Sequence, residues 1–347
     1  MPHRSRLAAT IIWCCMFAFR SFAQDVQQAQ FFAIPVMSNP AFAGNMEFDC
    51  KELKSNFRGS WQSRRQWGAA FSSDAMVLEL FRKKSRMGMA LNLRNQRVNG
   101  GHFSANSGGL AISHRLNLGN EWHLASGVQL DVVQRGFSFT GLRFTDQFSE
   151  NGYTGRTGSD NAAGPAFSRV FPDLATGLLA FNQRFWTGIS VHHLTRPVLS
   201  DINGSIRLER KFTLQAGLKI PFRSEPNFGL FRRDVSLHPV WQWRIQQPFS
   251  QMDAGMYYNH EPFVAGLLYR GFAILKKDAD NRISQDAIVF LLGIKHEGFR
   301  MGYSIELNLK RKGYGSFPSQ ELSLSYQLAK NGCLRRRYGK WIPVPSI

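Results

Sequence analysis

The stretch "FRMGYSIELNL", residues 299–309, alternates strictly. Met301, Tyr303, Ile305, Leu307 and Leu309 fall on one side, and Gly302, Ser304, Glu306 and Asn308 on the other. Successive side chains of a strand point to opposite faces, so this period of two predicts a strand with one apolar and one polar face. The pattern returns in "ELSLSYQL" (321–328), where Leu322, Leu324, Tyr326 and Leu328 oppose Glu321, Ser323, Ser325 and Gln327. It returns again in "RMGMALNLR" (86–94) and "EWHLASGVQLD" (121–131).

Extending outward along the chain, the same test predicts fourteen strands. They fall at about 54–62, 66–80, 86–94, 104–117, 121–135, 174–183, 185–194, 207–220, 235–246, 251–260, 263–270, 286–297, 299–309 and 320–328. No segment carries a long helical period. An even count is what a closed up-and-down bacterial barrel requires. The connections give a second signal. Those after even-numbered strands are mostly tight, as in "LGN" (118–120), "NQR" (182–184), "HEP" (260–262) and "EG" (297–298). Those after odd-numbered strands include the long segments 136–173, 195–206, 271–285 and 310–319. Short turns at one end and long loops at the other belong to an outer-membrane barrel, with the short turns periplasmic. The connection 221–234 is too long for this rule and reads as a periplasmic contact loop or a miscounted strand.

A soluble β-sandwich or propeller is the competing architecture. Against it stand apolar faces about nine to eleven residues long, enough to cross a bilayer at a tilt. Trp67, Trp122, Trp186, Trp241, Trp243 and Tyr269 near strand ends read as interfacial girdles. The expected fold is therefore all-β: a transmembrane antiparallel β-barrel of about fourteen strands with both termini periplasmic.

The N-terminus "MPHRSRLAATIIWCCMFAFRSFAQ" has a basic start at Arg4 and Arg6, an apolar run from Leu7 to Phe19, and a small-x-small site at Ser21-Phe22-Ala23. That is a signal peptide cut before Gln24, and its apolar run is short of the roughly 20 residues of a membrane anchor. The expected organisation is a signal peptide at 1–23, a periplasmic N-terminal segment at 24–53, the barrel at 54–328 and a basic periplasmic tail at 329–347. Removing the leader lowers the formal charge of +19 by three and leaves a strongly basic exported chain. Its expected acidic neighbours are outer-membrane lipid headgroups and surface polymers, with no nucleic acid. Cys50 and Cys333 are the cysteines left after cleavage, and either a disulfide or two unpaired thiols is compatible with an oxidising compartment.

Chemistry is hard to find. His192 and His193 in "VHHL" point to opposite faces of a strand, so they cannot converge on one metal. "GYGSF" (313–317) lacks the spacing of a dinucleotide loop, and no G-x-S-x-G or paired carboxylates appear. No catalytic residue, metal site or cofactor is expected, and the chain reads as non-enzymatic. Lumen carboxylates such as Asp131 and Glu306 are read as satisfied by Arg or Lys.

The segments "QFFAIPVMSNPAFAGN" (30–45) and "NFRGSWQSRRQWGAAFSSDA" (56–75) together resemble the start of the PorP/SprF family of Bacteroidetes type IX secretion membrane proteins. The residues that carry the resemblance are Gln30, Phe31, Pro35, Asn39, Pro40, Ala41, Ala43, Gly44, Phe57, Arg58 and Trp61. "FPDLATGLLAFNQRFWTGISVHHLTRP" (171–197) is similar to the family's central block through Pro172, Asp173, Gly177, Gly188, Ser190, His193, Leu194 and Pro197. "GSFPSQELSLSYQL" (315–328), with Glu321, is similar to its closing strand. The resemblance implies an outer-membrane component supporting secretion or surface anchoring of cargo such as adhesins, and gliding motility in some members. It also implies partners among the secreted cargo, the periplasmic secretion ring and peptidoglycan-linked subunits. A porin-like channel for small solutes is the alternative that the polar inner face suggests.

"SNPAFAGN" (38–45) has no chemistry of its own. Pro40 fixes its φ and holds Asn39 extended, while Gly44 permits a turn other residues resist. The aromatic Phe31, Phe32 and Phe42 predict that this segment folds against the barrel's periplasmic mouth as a plug or docking strap, with Phe42 as its anchor.

Overall fold

The computed structural model describes residues 28–44, 55–98, 102–119, 121–138, 148–149, 152–153, 167–200, 206–222, 235–247, 249–271, 287–296, 298–309 and 317–328. The expected signal peptide at 1–23, Cys50, Cys333, the basic segment 329–347 and most of the 221–234 connection lie outside these residues.

Alternating sequence becomes alternating exposure. The barrel strands are β1 (Ser55–Gln66), β2 (Phe71–Arg82), β3 (Met87–Val98), β4 (Phe103–Gly119), β5 (Trp122–Phe137), β6 (Phe167–Phe181) and β7 (Phe185–His192). They continue as β8 (Lys211–Leu218), β9 (Val235–Gln246), β10 (Phe249–His260), β11 (Phe263–Arg270), β12 (Ala287–His296), β13 (Phe299–Asn308) and β14 (Ser319–Gln327). Each pairs antiparallel with its sequence neighbours. The circle closes where β1 meets β14, from Arg58 opposite Gln327 to Arg65 opposite Gln320. A two-residue strand, Ile220–Pro221, also leans on β9.

Closure leaves no sheet edge, so every ladder group can bond to a neighbouring strand, which a bilayer interior demands. The apolar side chains face outward: Leu292 is 69% exposed, and Leu93, Leu110, Val128, Phe290 and Ile189 are exposed with it. Gln62, Gln129, Gln215, Gln242, Ser304 and Glu321 are buried on the inner face. A water-soluble protein has the opposite arrangement, so the outer surface is built for lipid.

Both ends of the barrel follow from the even count, since β1 enters where β14 leaves. The tight joints 83–86, 120–121, 182–184, 261–262 and 297–298 lie at that end, and the long segments 138–166, 193–210, 271–286 and 309–318 at the other. The connection 219–234 remains long at the short-turn end.

Several boundaries and one girdle residue differ from the sequence reading. The first turn falls at 67–70 instead of 63–65, because Arg64 is an inward strand residue whose charge is met inside the lumen. β6 begins at Phe167, ahead of the expected 174, with Pro172 on the strand opposite Val132. Trp186 belongs to no girdle: it faces inward and is fully buried.

Leu292 lies mid-strand on the lipid face. Leu292→Arg is expected to destabilise the folded barrel by about 2–4 kcal/mol, measured by urea unfolding in lipid vesicles, whereas Leu292→Phe is expected to be near neutral.

Candidate functional site

The lumen is occupied by the protein's own N-terminal segment. Residues 29–44 are almost wholly buried there, and the local sequence accounts for their shape. Pro35 and Pro40 each open a short 3-10 turn, Pro35–Met37 and Pro40–Phe42. Proline suits a first turn because its missing N–H would have no partner there. Asn39, held extended by the following proline at φ −156°, caps the second turn by accepting the Ala41 N–H at 2.9 Å. Gly44 then turns the chain at φ +68°.

Four wall glycines let this turn lie flat against the barrel. A Cβ on Gly88 would stand 2.0 Å from the Ala43 carbonyl oxygen, and one on Gly127 2.4 Å from the Pro40–Ala41 backbone. On Gly177 it would meet the Asn39 Oδ1 at 2.0 Å, and on Gly188 the Asn39 Nδ2 at 2.9 Å. Hydrogen bonds fix the register. Asn39 Nδ2 donates to the carbonyls of Leu178 at 3.2 Å and Ile189 at 3.3 Å. The Ser190 hydroxyl donates to the Ser38 carbonyl at 2.7 Å, and the Ser113 hydroxyl to the Ala43 carbonyl at 2.8 Å. The Gly44 N–H donates to Glu79 at 3.2 Å, and Arg58 grips that carboxylate from the other side, its Nε 2.7 Å away.

The other end of the segment is clasped by Glu321. Its carboxylate accepts the consecutive N–H groups of Ala29 and Gln30, both at 2.8 Å, and the Arg64 guanidinium at 2.9 Å; the Gln62 amide also donates to it. The Gln30 side chain donates to the Ser304 hydroxyl at 3.1 Å and the Glu321 carbonyl at 2.8 Å, and accepts from Ser323 at 2.6 Å. Charge continues along the wall: Arg64 reaches Glu306 at 2.8 Å, Arg270 reaches Glu306 at 2.6 Å and Asp253 at 3.2 Å, and Arg244 pairs with Asp253. Three arginines thus balance three carboxylates, as buried charges require. Arg270 also donates to the Gln28 carbonyl at 2.9 Å.

Between the two ends lies an apolar contact. Phe32 meets Trp186 and Tyr257 edge to face, with ring centroids 5.5 and 5.7 Å apart, and Phe42 meets Trp186 at 5.7 Å. Inward-facing Leu179, Phe181, Val240, Val264, Leu268, Val289 and Leu291 complete this patch. Ala33, Ile34, Val36, Met37 and Ala43 fill a second one against Ala75, Val77, Ala90 and Ala111.

Of the residues singled out from sequence, Gln30, Phe31, Pro35, Asn39, Pro40, Ala41, Phe42 and Gly44 lie in the plug, and Arg58 and Glu321 in the wall that holds it. Trp61 stands apart: it points outward, 38% exposed, between Met76 and Leu324 on the lipid face. The segment lies deeper than a strap across the mouth, since its contacts run from Gly88 near the short-turn end to Arg270 and Arg64 in the long-loop half. Sequence reasoning missed Glu79, Gly88, Gly127, Trp186 and Tyr257. For Gly88, Gly127, Trp186 and Tyr257 the signal was apolar or glycine residues on the inner face of strands that should be polar there; Glu79, an inward carboxylate, offered no such signal. His193 pairs with Asp173 at 2.6 Å while His192 approaches the Ser38 carbonyl at 3.1 Å, so the two histidines serve different contacts. Among the described residues, no group of three or more His, Cys, Asp or Glu side chains could hold a metal ion. The arrangement is suited to holding peptide.

Two substitutions test this lock. Gly127→Val is expected to unseat the plug while the barrel stays folded, raising single-channel conductance in planar bilayers well above wild type. Glu321→Ala takes one of the two carboxylates that meet Arg64 and the acceptor of the Ala29, Gln30 and Gln62 amides, and is expected to cost about 3–5 kcal/mol in urea unfolding.

Comparison with known proteins agrees with the family resemblance. The family described as "Type IX secretion system membrane protein PorP/SprF" matches residues 20–326. No curated protein matches the chain. Among solved structures, the chain is similar to the outer membrane protein Omp33 of Acinetobacter baumannii, at 6% identity and a TM-score of 0.43 over 80% of this chain and 99% of that one. It is similar to a mutant of the TodX monoaromatic hydrocarbon channel at 10% identity and a TM-score of 0.41, over 87% and 94%. It is also similar to the KdgM porin at 7% identity and a TM-score of 0.35, over 78% and 98%. A closed, lipid-faced barrel of this kind is the outer-membrane form of membrane protein. With the family matched over most of its length, this outer-membrane barrel belongs to the PorP/SprF family of type IX secretion system membrane proteins.

Proposed function

We propose that the protein is a non-enzymatic component of type IX secretion that supports the secretion or surface anchoring of a cargo protein such as an adhesin. Its partners are that cargo, or the periplasmic ring and peptidoglycan-linked subunits of the system, and gliding motility is one process it would serve. Residues 1–23 act as the export signal in this reading, and 329–347 as a basic tail on the periplasmic side.

The observation that carries the reading is the plug. A porin for small solutes needs a wetted lumen, whereas here Phe32, Phe42 and Trp186 pack together inside the barrel and Glu321 secures the segment that brings the phenylalanines in. Such a lumen favours a barrel that works through its surfaces over one that works as an open hole. The family membership supplies the process.

Deleting the gene is expected to trap one particular surface protein, or a small set, inside the cell, while other exported proteins are displayed normally. Surface labelling followed by mass spectrometry of deletion and complemented strains measures this. Unchanged display of every surface protein would end the secretory reading.

A further inference from the structure

We infer that the long-loop half of the lumen holds a binding site for a carboxylate, with the Arg94 guanidinium as its centre. A polar pocket opens there beside the plug, lined by Arg94, Gln96, Asp131, Arg135, Asp173 and Lys211 among others. Arg94 projects into it from the inner face of β3 and is only partly exposed.

Its hydrogen bonding is incomplete. The Nε–H is shielded from solvent and has no acceptor. One terminal nitrogen touches the Met37 sulfur of the plug at 3.8 Å, and a thioether is a weak acceptor. The Nε is out of a ligand's reach as well as water's, so the terminal nitrogens, one of them touching only that weak acceptor, are the donors that an anion in the pocket would meet.

The pocket's own carboxylates are engaged elsewhere. Asp131 accepts from Asn92 at 3.1 Å and from Gln129 at 2.6 Å, and Asp173 is bonded to His193 at 2.6 Å. The other fixed charges in the lining, Arg135 and Lys211, are positive. A ligand carboxylate would accept from the terminal nitrogens of Arg94 in a charge-assisted contact. It would then rest beside Met37, so occupancy and plug position are coupled. The site follows from the barrel and plug alone and would stand if the secretory reading failed.

The chemistry is a carboxylate, whether at a peptide C-terminus or on an acidic sugar. Saturation-transfer NMR on the full chain in detergent, in low-salt buffer, tests it with three probes: N-acetyl-Gly-Gly, its C-terminal amide, and glucuronate. At least one carboxylate probe is expected to bind, with an affinity on the order of millimolar for a single charge-assisted contact. The amide is expected to show no binding. Arg94→Gln is expected to weaken the carboxylate at least about tenfold, and Arg94→Lys to restore part of it, with heat-modifiable gel migration confirming a folded barrel in each. Binding by the peptide alone or by glucuronate alone identifies the source of the carboxylate. Equal binding of acid and amide, wild-type affinity in Arg94→Gln, or no binding of either carboxylate overturns the proposal.

Discussion

A charge carried into a lumen away from water has to be met there, and Glu321 is met from several directions at once. It sits on the last strand, opposite Arg64 of the first, so its ion pair crosses the seam where the barrel closes. The same carboxylate holds the amides of Ala29 and Gln30. Breaking a buried pair of this kind strands the partner charge, which makes it far more costly than a surface pair. One side chain therefore joins three parts of the chain that are remote in sequence: the plug, β1 and β14. The neighbouring Arg270 and Glu306 extend this compensation around the wall.

The plug and the wall are complementary in size as well as charge. Where the segment carries backbone and small side chains, at Pro40, Ala41 and Ala43, the wall has Gly127 and Gly88. Where it carries phenylalanine, the wall turns apolar at Val240, Val264 and Leu291. Asn39 fits between two glycines because its amide can bond to two strand carbonyls and cap its own turn. A motif without nucleophile, base or metal ligand is thus explained by shape and hydrogen bonding, and each of its residue types has a distinct task.

Much of the barrel was legible because the cause is local. A period of two in "FRMGYSIELNL" is decided by that strand alone, and the alternation of short and long joints follows from counting. What stayed hidden depended on residues facing each other across the lumen. Arg64 looked like part of a turn until Glu306 and Glu321 were placed around it. Trp186 looked interfacial because strand ends are where girdle residues sit, yet its parity on β7 sends it inward. The sequence did hold a usable hint. In "AIVFLLGIKH" (287–296) the inner positions Val289 and Leu291 are as apolar as the outer ones, which a water-lined barrel would not favour. An apolar inner face asks for an occupant, and the aromatic segment before β1 is the candidate that the chain itself provides.

The bond between Gln30 and Glu321 joins residues 291 apart in sequence. Contacts of such separation are slow to form, because the loop they close is nearly the whole molecule. The Ala29–Gln30 end of the plug is therefore clasped only once the final strand is in place. A barrel interrupted before β14 lacks both the seam partner of Arg64 and the acceptor for the Ala29 and Gln30 amides, so it is open-edged and unclasped at that end of the plug at the same time. Completion of the wall and clasping of the Ala29–Gln30 end become one event, because the strand that seals the seam also carries the carboxylate that holds it.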